Sequence, residues 1–158
     1  MNLPLSSIAF KDGDSIPARY TCEGQDISPP LAWEEPPQNT GAFALIFDDP
    51  LASAGLFTHW VLFNLKANVR ELGEGIPAPE RIKNGAIEGK SDFNMIGYGG
   101  PCPPPGKVHH YRFTIYALDR PLDLPRGASR QQLLDAMKGH TLAQGQLTGT
   151  YQRGDSEC

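Results

Sequence analysis

The stretch Gly97-Tyr98-Gly99-Gly100-Pro101-Cys102-Pro103-Pro104-Pro105-Gly106-Lys107-Val108-His109-His110-Tyr111 decides how the rest of the chain is read. Four prolines fix φ and remove amide donors, and the glycines permit positive φ and close backbone approach. Such a segment is neither a helix nor a central strand. It runs directly into the apolar segment Phe113-Thr114-Ile115-Tyr116-Ala117-Leu118. Stiff, irregular backbone ahead of paired histidines suggests a rigid rim that holds imidazoles in place. The plain alternative is a Pro/Gly-rich surface loop that ends in His-His.

Working outward, two more apolar runs match the one after the rim. Ala42–Phe47 is nearly all apolar, as a strand buried on both faces should be, and His59–Leu65 is a second strong strand. Shorter strands are expected at Ser7–Phe10, at Ile16–Tyr20 and within Asn84–Lys90. Ser28–Trp33 reads as extended because each proline biases its predecessor away from the α region. Lys66–Arg81 reads as a long connection with at most a short strand. A single helix is convincing: Ser129 with Gln132 forms a capping box, Leu133, Leu134 and Met137 make an apolar face, and Gly139 stops it. In Leu142–Gln152, Ala143, Gly145, Leu147, Gly149 and Tyr151 alternate with polar residues, the mark of a half-exposed antiparallel strand. The 17 glycines and 15 prolines among 158 residues favour many turns and short strands over a helical bundle. The expected fold is therefore mainly β, an antiparallel β-sandwich with a small C-terminal helical element, formed by one domain over residues 1–158.

Charge and cysteine content exclude several function classes. A formal net charge of −4 leaves no basic stripe for nucleic acid and no polybasic membrane patch. No segment approaches the roughly 18 consecutive apolar residues of a spanning helix. Residues Met1–Ser7 lack the basic start and apolar core of a signal peptide, which predicts a cytoplasmic location. Cys22, Cys102 and Cys158 have no zinc-ribbon spacing. Cys22 and Cys102 both lie in loop-like contexts that allow them to meet, but in a cytosolic protein they are expected mostly reduced.

Strand phase points to a site. Side chains two apart on a strand share a face, so Asp49 goes with Phe43, Leu45 and Phe47, His59 with Val61, Phe63 and Leu65, and His109 with Tyr111, Phe113 and Ile115. One carboxylate and two imidazoles, each where a strand meets a loop, then sit at the mouth of an apolar core beside Gly-rich backbone. That describes a small ligand pocket. Each residue alone would more simply be a hydrogen-bonded strand end.

Asp48-Asp49-Pro50, Thr58-His59-Trp60, Gly97 to Gly106 and His109-His110-Tyr111 resemble the motifs of phosphatidylethanolamine-binding proteins, in particular their short bacterial and archaeal Raf-kinase-inhibitor-like branch. The likeness extends to Ile16–Cys22, Ser28–Trp33, Tyr116–Asp119 and Gly149–Arg153. It implies a β-sandwich with an anion pocket at one end, filled by phosphate, acetate, cacodylate or phosphoethanolamine-like groups. Carried over by motif, Asp49, His59, Gly100, His109 and Tyr111 line that pocket. In this reading the imidazoles and the Tyr111 hydroxyl donate to an oxyanion, while Asp49 orients a histidine, since two negative groups repel. The resemblance further implies a non-enzymatic binding protein without a cofactor, a kinase or protease as possible protein partner, and a possible homodimer.

Two departures bear on the pocket. Where the family has Asp-Pro-Asp-Ala-Pro, this chain has Asp49-Pro50-Leu51-Ala52-Ser53. Leu51 removes a carboxylate and either makes the mouth more apolar or points outward. Ser53 removes the proline that most readily allows a cis peptide. Asp92 either braces the rim or is a solvated turn residue, with the second slightly favoured. Two rival functions use the same residues. His59, His109 and Asp49 form a two-histidine, one-carboxylate metal-ligand set, although no helical metal spacing is present. Ser53 or Cys102 would serve as nucleophile beside the histidines, although no Gly-x-Ser-x-Gly elbow exists.

Overall fold

Every residue of Ala42–Asp49 (β3) is buried, because β3 is the middle strand of a five-stranded antiparallel sheet covered on both faces. The computed structural model describes residues 2–52, 55–77, 81 and 83–153. Beside β3 lie Phe57–Lys66 (β4) and Val108–Leu118 (β7), flanked by Ile87–Glu88 (β6) and Thr141–Gln152 (β8), in the order β6-β4-β3-β7-β8. Leu5–Ser6 (β1), Leu31–Trp33 (β2) and Glu71–Leu72 (β5) make a second, three-stranded antiparallel sheet.

Two hydrophobic clusters follow from the alternation along β3. Phe43, Leu45 and Phe47 join Trp33, Leu31, Leu72, Phe113 and Ile115 between the sheets. Ala44 and Ile46 join Val61, Phe63, Leu133 and Met137 on the opposite face, where the helix Arg130–Met137 (α1) covers the large sheet. The expected capping box is present: Gln132 N–H donates to Ser129 Oγ at 3.1 Å, and Ser129 N–H donates to Gln132 Oε1 at 2.9 Å. On β8 the small residues admit the N-terminal segment. Leu3 N–H donates to the Gln144 carbonyl at 2.9 Å, and a Cβ on Gly145 would fall inside the contact radius of the Leu3 carbonyl oxygen. Gly145→Ala is therefore expected to cost about 1–3 kcal/mol by overpacking against backbone that cannot rotate away. A shift of the urea midpoint without a change of slope checks it.

The two earliest strands are placed differently from expectation. Ser7–Phe10 is not a strand: β1 ends at Ser6, and Ser7 Oγ accepts from Ala9 N–H at 3.1 Å, a local turn that competes with sheet pairing. Ile16–Tyr20 is also not a strand. After Pro17 the chain winds into a 3-10 turn, Ala18–Tyr20, with Tyr20 N–H donating to the Pro17 carbonyl at 3.0 Å. Among its described residues the long connection carries one two-residue strand, as expected, at Glu71–Leu72.

Two β-bulges shape β4. The pairs Phe43↔Leu65 and Leu45↔Leu62 leave one extra β4 residue between them, and Asn64 there has φ of +61°. The pairs Phe47↔Trp60 and Asp48↔Thr58 leave His59 as a second extra residue. A bulge re-aims side chains relative to the regular alternation. The phase expected for His59 is thereby corrected. Val61 and Phe63 face α1, whereas His59 packs with Phe47 and Tyr111 on the other face, at ring-centroid distances of 5.2 Å and 5.4 Å.

Candidate functional site

The ends of β3, β4 and β7 that meet beside the proline-rich rim surround a cavity of about 310 Å³. Asp49, His59, His109 and Tyr111 line it, together with Phe57, Phe93, Leu56 and the rim residues Cys102, Pro103 and Pro104. Four of the five expected site residues thus meet in one place. Gly100 is the exception: its N–H donates to Asp26 Oδ1 at 2.8 Å, and its Cα packs too close to the Tyr20 carbonyl for any side chain. Its glycine character serves close packing of the rim against the Tyr20–Asp26 loop rather than approach of a ligand.

Each polar group is held in a defined orientation. His109 Nδ1–H donates to Asp49 Oδ2 at 2.7 Å, and Asp49 Oδ1 accepts from Leu51 N–H at 3.1 Å. Asp49 is almost fully buried and spends both oxygens on these contacts, so it positions His109. His59 Nδ1 lies 2.8 Å from the Gly99 carbonyl, which can only accept, so Nδ1 carries the hydrogen. Burial pulls His59 below the ordinary histidine range, opposed by the Gly99 bond and the charges of Asp49 and Asp48. Burial, reinforced by Asp49, raises the Tyr111 phenol well above its ordinary value. The hydroxyl therefore stays protonated and remains a donor.

The walls are aromatic. Phe47 stacks on Phe113 at 3.9 Å and carries His59 and Tyr111 on its edges, while Phe57 and Phe93 close on His59 edge-on at 5.0 Å and 5.1 Å. The sequence reading missed Phe57 and Phe93. Phe57 was recoverable, since it stands two residues before His59. Phe93 reaches the site because Asp92 ties its segment to β4: Thr58 N–H donates to Asp92 Oδ2 at 2.7 Å, and Asp92 N–H donates to the Thr58 carbonyl at 2.8 Å. Asp92 is an exposed turn residue, as favoured, yet it also braces the bulge that presents His59.

Other expectations resolve one by one. Leu51 points outward, 76 % exposed, and does not line the cavity. Ser53 lies outside the described residues. Cys22 and Cys102 are joined in a disulfide with Cα atoms 5.4 Å apart, which corrects the expectation of reduced thiols and removes Cys102 as a nucleophile. The bond anchors the rim to the Tyr20–Asp26 loop, alongside Cys22 N–H donating to the Pro101 carbonyl at 3.1 Å and Tyr98 O–H donating to the Tyr20 carbonyl at 2.8 Å. Among the described residues, no three histidine, cysteine or acidic side chains form a group able to hold a metal ion. Asp49 gives one oxygen to His109 Nδ1–H and the other to Leu51 N–H, so its carboxylate is turned to these partners.

The profile of the phosphatidylethanolamine-binding protein family matches residues 6–152. The chain belongs to that family. A UPF0098 protein of Methanothermobacter thermautotrophicus is 47 % identical over 150 residues, covering 95 % of this chain and 99 % of its own. A UPF0098 protein of Chlamydia trachomatis is 39 % identical over 96 % of this chain and 99 % of its own. The crystal structure of a Chlamydia trachomatis homologue of phosphatidylethanolamine-binding proteins superposes with a TM-score of 0.88 at 38 % identity, covering 96 % of this chain and 98 % of that one. Escherichia coli YbcL, described as a new member of the mammalian family, superposes with a TM-score of 0.87 at 29 % identity, covering 96 % and 99 %. The family fold is thus the one observed, two antiparallel sheets with a small helix. Among the described residues no helix is long and apolar enough to cross a membrane.

Proposed function

We propose that this member of the phosphatidylethanolamine-binding protein family is a non-enzymatic binding protein for a small phosphate-like oxyanion or phosphorylated headgroup. The observation that carries the reading is the convergence of His59, the Asp49–His109 pair and Tyr111 at one aromatic-walled cavity. A concave, mostly apolar pocket with a few convergent polar groups is the usual form of a small-molecule site. The Tyr111 hydroxyl and, when protonated, the two Nε2 atoms supply donors aimed at one ligand. The family name supports a phosphorylated ligand. A binding rather than catalytic role is supported by the commitment of Cys102 to the disulfide, which leaves no thiolate beside the histidines.

In this reading a kinase or protease senses the occupied pocket through its rim, the protein acts in the cytoplasm, and two copies associate. Light scattering on the purified protein tests the dimer, and alkylation of thiols in intact cells tests the compartment, because a reducing cytosol works against the Cys22–Cys102 bond.

The direct test is an NMR titration with inorganic phosphate that follows the four imidazoles. His59 and His109 are expected to shift together and saturate. His140 should stay still, because its Nδ1 is bonded to Asp119 at 3.0 Å, beyond the far end of β7. If phosphate moves neither pocket histidine, the oxyanion reading is wrong.

A further inference from the structure

The charge of the cavity wall conflicts with a bare oxyanion. Asp49 is the one acidic residue among the described lining residues, and no lysine or arginine stands there. His59 Nδ1–H is committed to the Gly99 carbonyl and His109 Nδ1–H to Asp49. In each neutral ring the remaining nitrogen, Nε2, is therefore a lone pair. The hydrogen bonds of both rings run through Nδ1, and among the described residues neither Nε2 nor the Tyr111 hydroxyl is paired. With both rings neutral, the wall presents two acceptors, one donor and a carboxylate. A dianion without a proton meets like charge and lone pairs.

We propose that the pocket captures its oxyanion together with a proton, and so selects inorganic phosphate and phosphomonoesters over sulfate and phosphodiesters. The proposal rests on the oxyanion reading above and adds the ligand class to it. A phosphate or phosphomonoester can carry a P–O–H: its second ionisation lies close to neutrality, at about pH 6 for a monoester. The protonated form is therefore a fraction of the ligand near pH 7 and predominates below about pH 6, and in that form the hydroxyl donates to the bare His59 Nε2. Sulfate and a phosphodiester have no such proton. They bind once His59 takes one from solvent and its Nε2–H becomes a donor. Around the anion, Tyr111 O–H donates to a second oxygen. When His109 is protonated its Nε2–H donates to a third, and the charge on that ring is compensated by Asp49 at 2.7 Å.

The groups that face His59 set the direction of the pH dependence. Asp49 stands at the end of β3, and Asp48 lies on the opposite sheet face, held by Arg112 at 2.7 Å and Arg130 at 3.3 Å. Tyr111 and His109 approach from β7, Phe57 from β4 itself, and Phe93 from the braced segment. The rim contributes the Gly99 carbonyl and the Gly100 backbone, both of which favour the charged ring, and the Cys102 disulfide. No cation faces the ring among these. Burial holds the free ring neutral, and a bound anion favours its charged form, so protons are taken up on binding. Between the free and bound values, affinity for an anion that does not itself titrate falls about tenfold for each unit of pH rise, and below the free value it is flat.

Calorimetric titrations of the intact protein with inorganic phosphate, methyl phosphate, dimethyl phosphate and sulfate, near pH 7.5 and near pH 5.5, test this. Near pH 7.5, phosphate is expected to bind at least about tenfold more tightly than sulfate. Near pH 5.5 sulfate should gain about tenfold or more and close the gap. At an intermediate pH, titrations in two buffers of different ionisation enthalpy should report about one proton taken up per sulfate bound. His59→Gln, which donates without titrating, should flatten the sulfate profile. Equal affinities for phosphate and sulfate near pH 7.5, or binding without proton uptake, would overturn the proposal while leaving the anion site intact. If no oxyanion binds at either pH, the oxyanion reading falls and this inference falls with it.

Discussion

Phe47→Ala is expected to lower the unfolding free energy by about 3–5 kcal/mol and to uncouple the pocket from the core. Phe47 is fully buried, stacks on Phe113 at 3.9 Å and on Tyr98 at 5.7 Å, and touches His59 and Tyr111 at 5.2 Å and 6.0 Å. Truncation removes dispersion contacts on several sides. It leaves a cavity that β3, clamped between β4 and β7, cannot close by moving. The loss should appear as a lower urea midpoint at constant slope. The same variant should weaken phosphate binding, because His59 and Tyr111 lose the ring that fixes their separation. Phe47→Leu, which refills most of the volume, should recover the larger part of both effects. A Phe47→Ala protein as stable as the parent would show that this aromatic stack does not hold the site.

The second large effect concerns the rim. Reduction, or the pair Cys22→Ser and Cys102→Ser, opens a crosslink between residues 80 apart in sequence. The chain-entropy account assigns such a loop about 4.5 kcal/mol, acting mainly through the unfolded state. Thiol titration in denaturant should find one reactive cysteine before reduction and three after it, since the chain has three. The reduced protein should unfold at a clearly lower denaturant concentration. It should keep most of the pocket, because the Gly100–Asp26, Cys22–Pro101 and Tyr98–Tyr20 hydrogen bonds still bind the rim to its neighbouring loop. Two outcomes oppose this account: three reactive thiols in the unreduced protein, or an unfolding midpoint indifferent to reduction.

The two expectations share a logic. Phe47 supports the site from below, through apolar packing that exists only once β3, β4 and β7 are paired. The disulfide supports it from the side, by limiting where the rim can go. The orientation of the polar groups depends on both supports.

Much of the architecture was legible in the chain itself. Ala42–Phe47 had to lie in a central strand, because an uninterrupted apolar run needs cover on both faces. The capping box at Ser129 and the alternation through Leu142–Gln152 likewise follow from local chemistry that neighbouring segments do not override. Of the polar residues that share the pocket, Asp49 and His109 followed from strand phase, Tyr111 followed from the motif, and His59 was named by both although its phase was wrong. What only the tertiary structure decided lies where local pattern carries no phase information. A strand buried on both faces has no polar side to mark its register, so the bulge that turns His59 away from Val61 and Phe63 leaves no trace in the composition of β4. Ser7–Phe10 and Ile16–Tyr20 had strand-like residues, but the first is held by a side-chain hydrogen bond. The second keeps a single bridge to β8, with Ile16 N–H donating to the Thr150 carbonyl, before Pro17 starts a 3-10 turn. Gly100 and Cys102 received their partners, Asp26 and Cys22, from a loop roughly 80 residues away in sequence, a pairing fixed by packing in three dimensions and not by spacing along the chain.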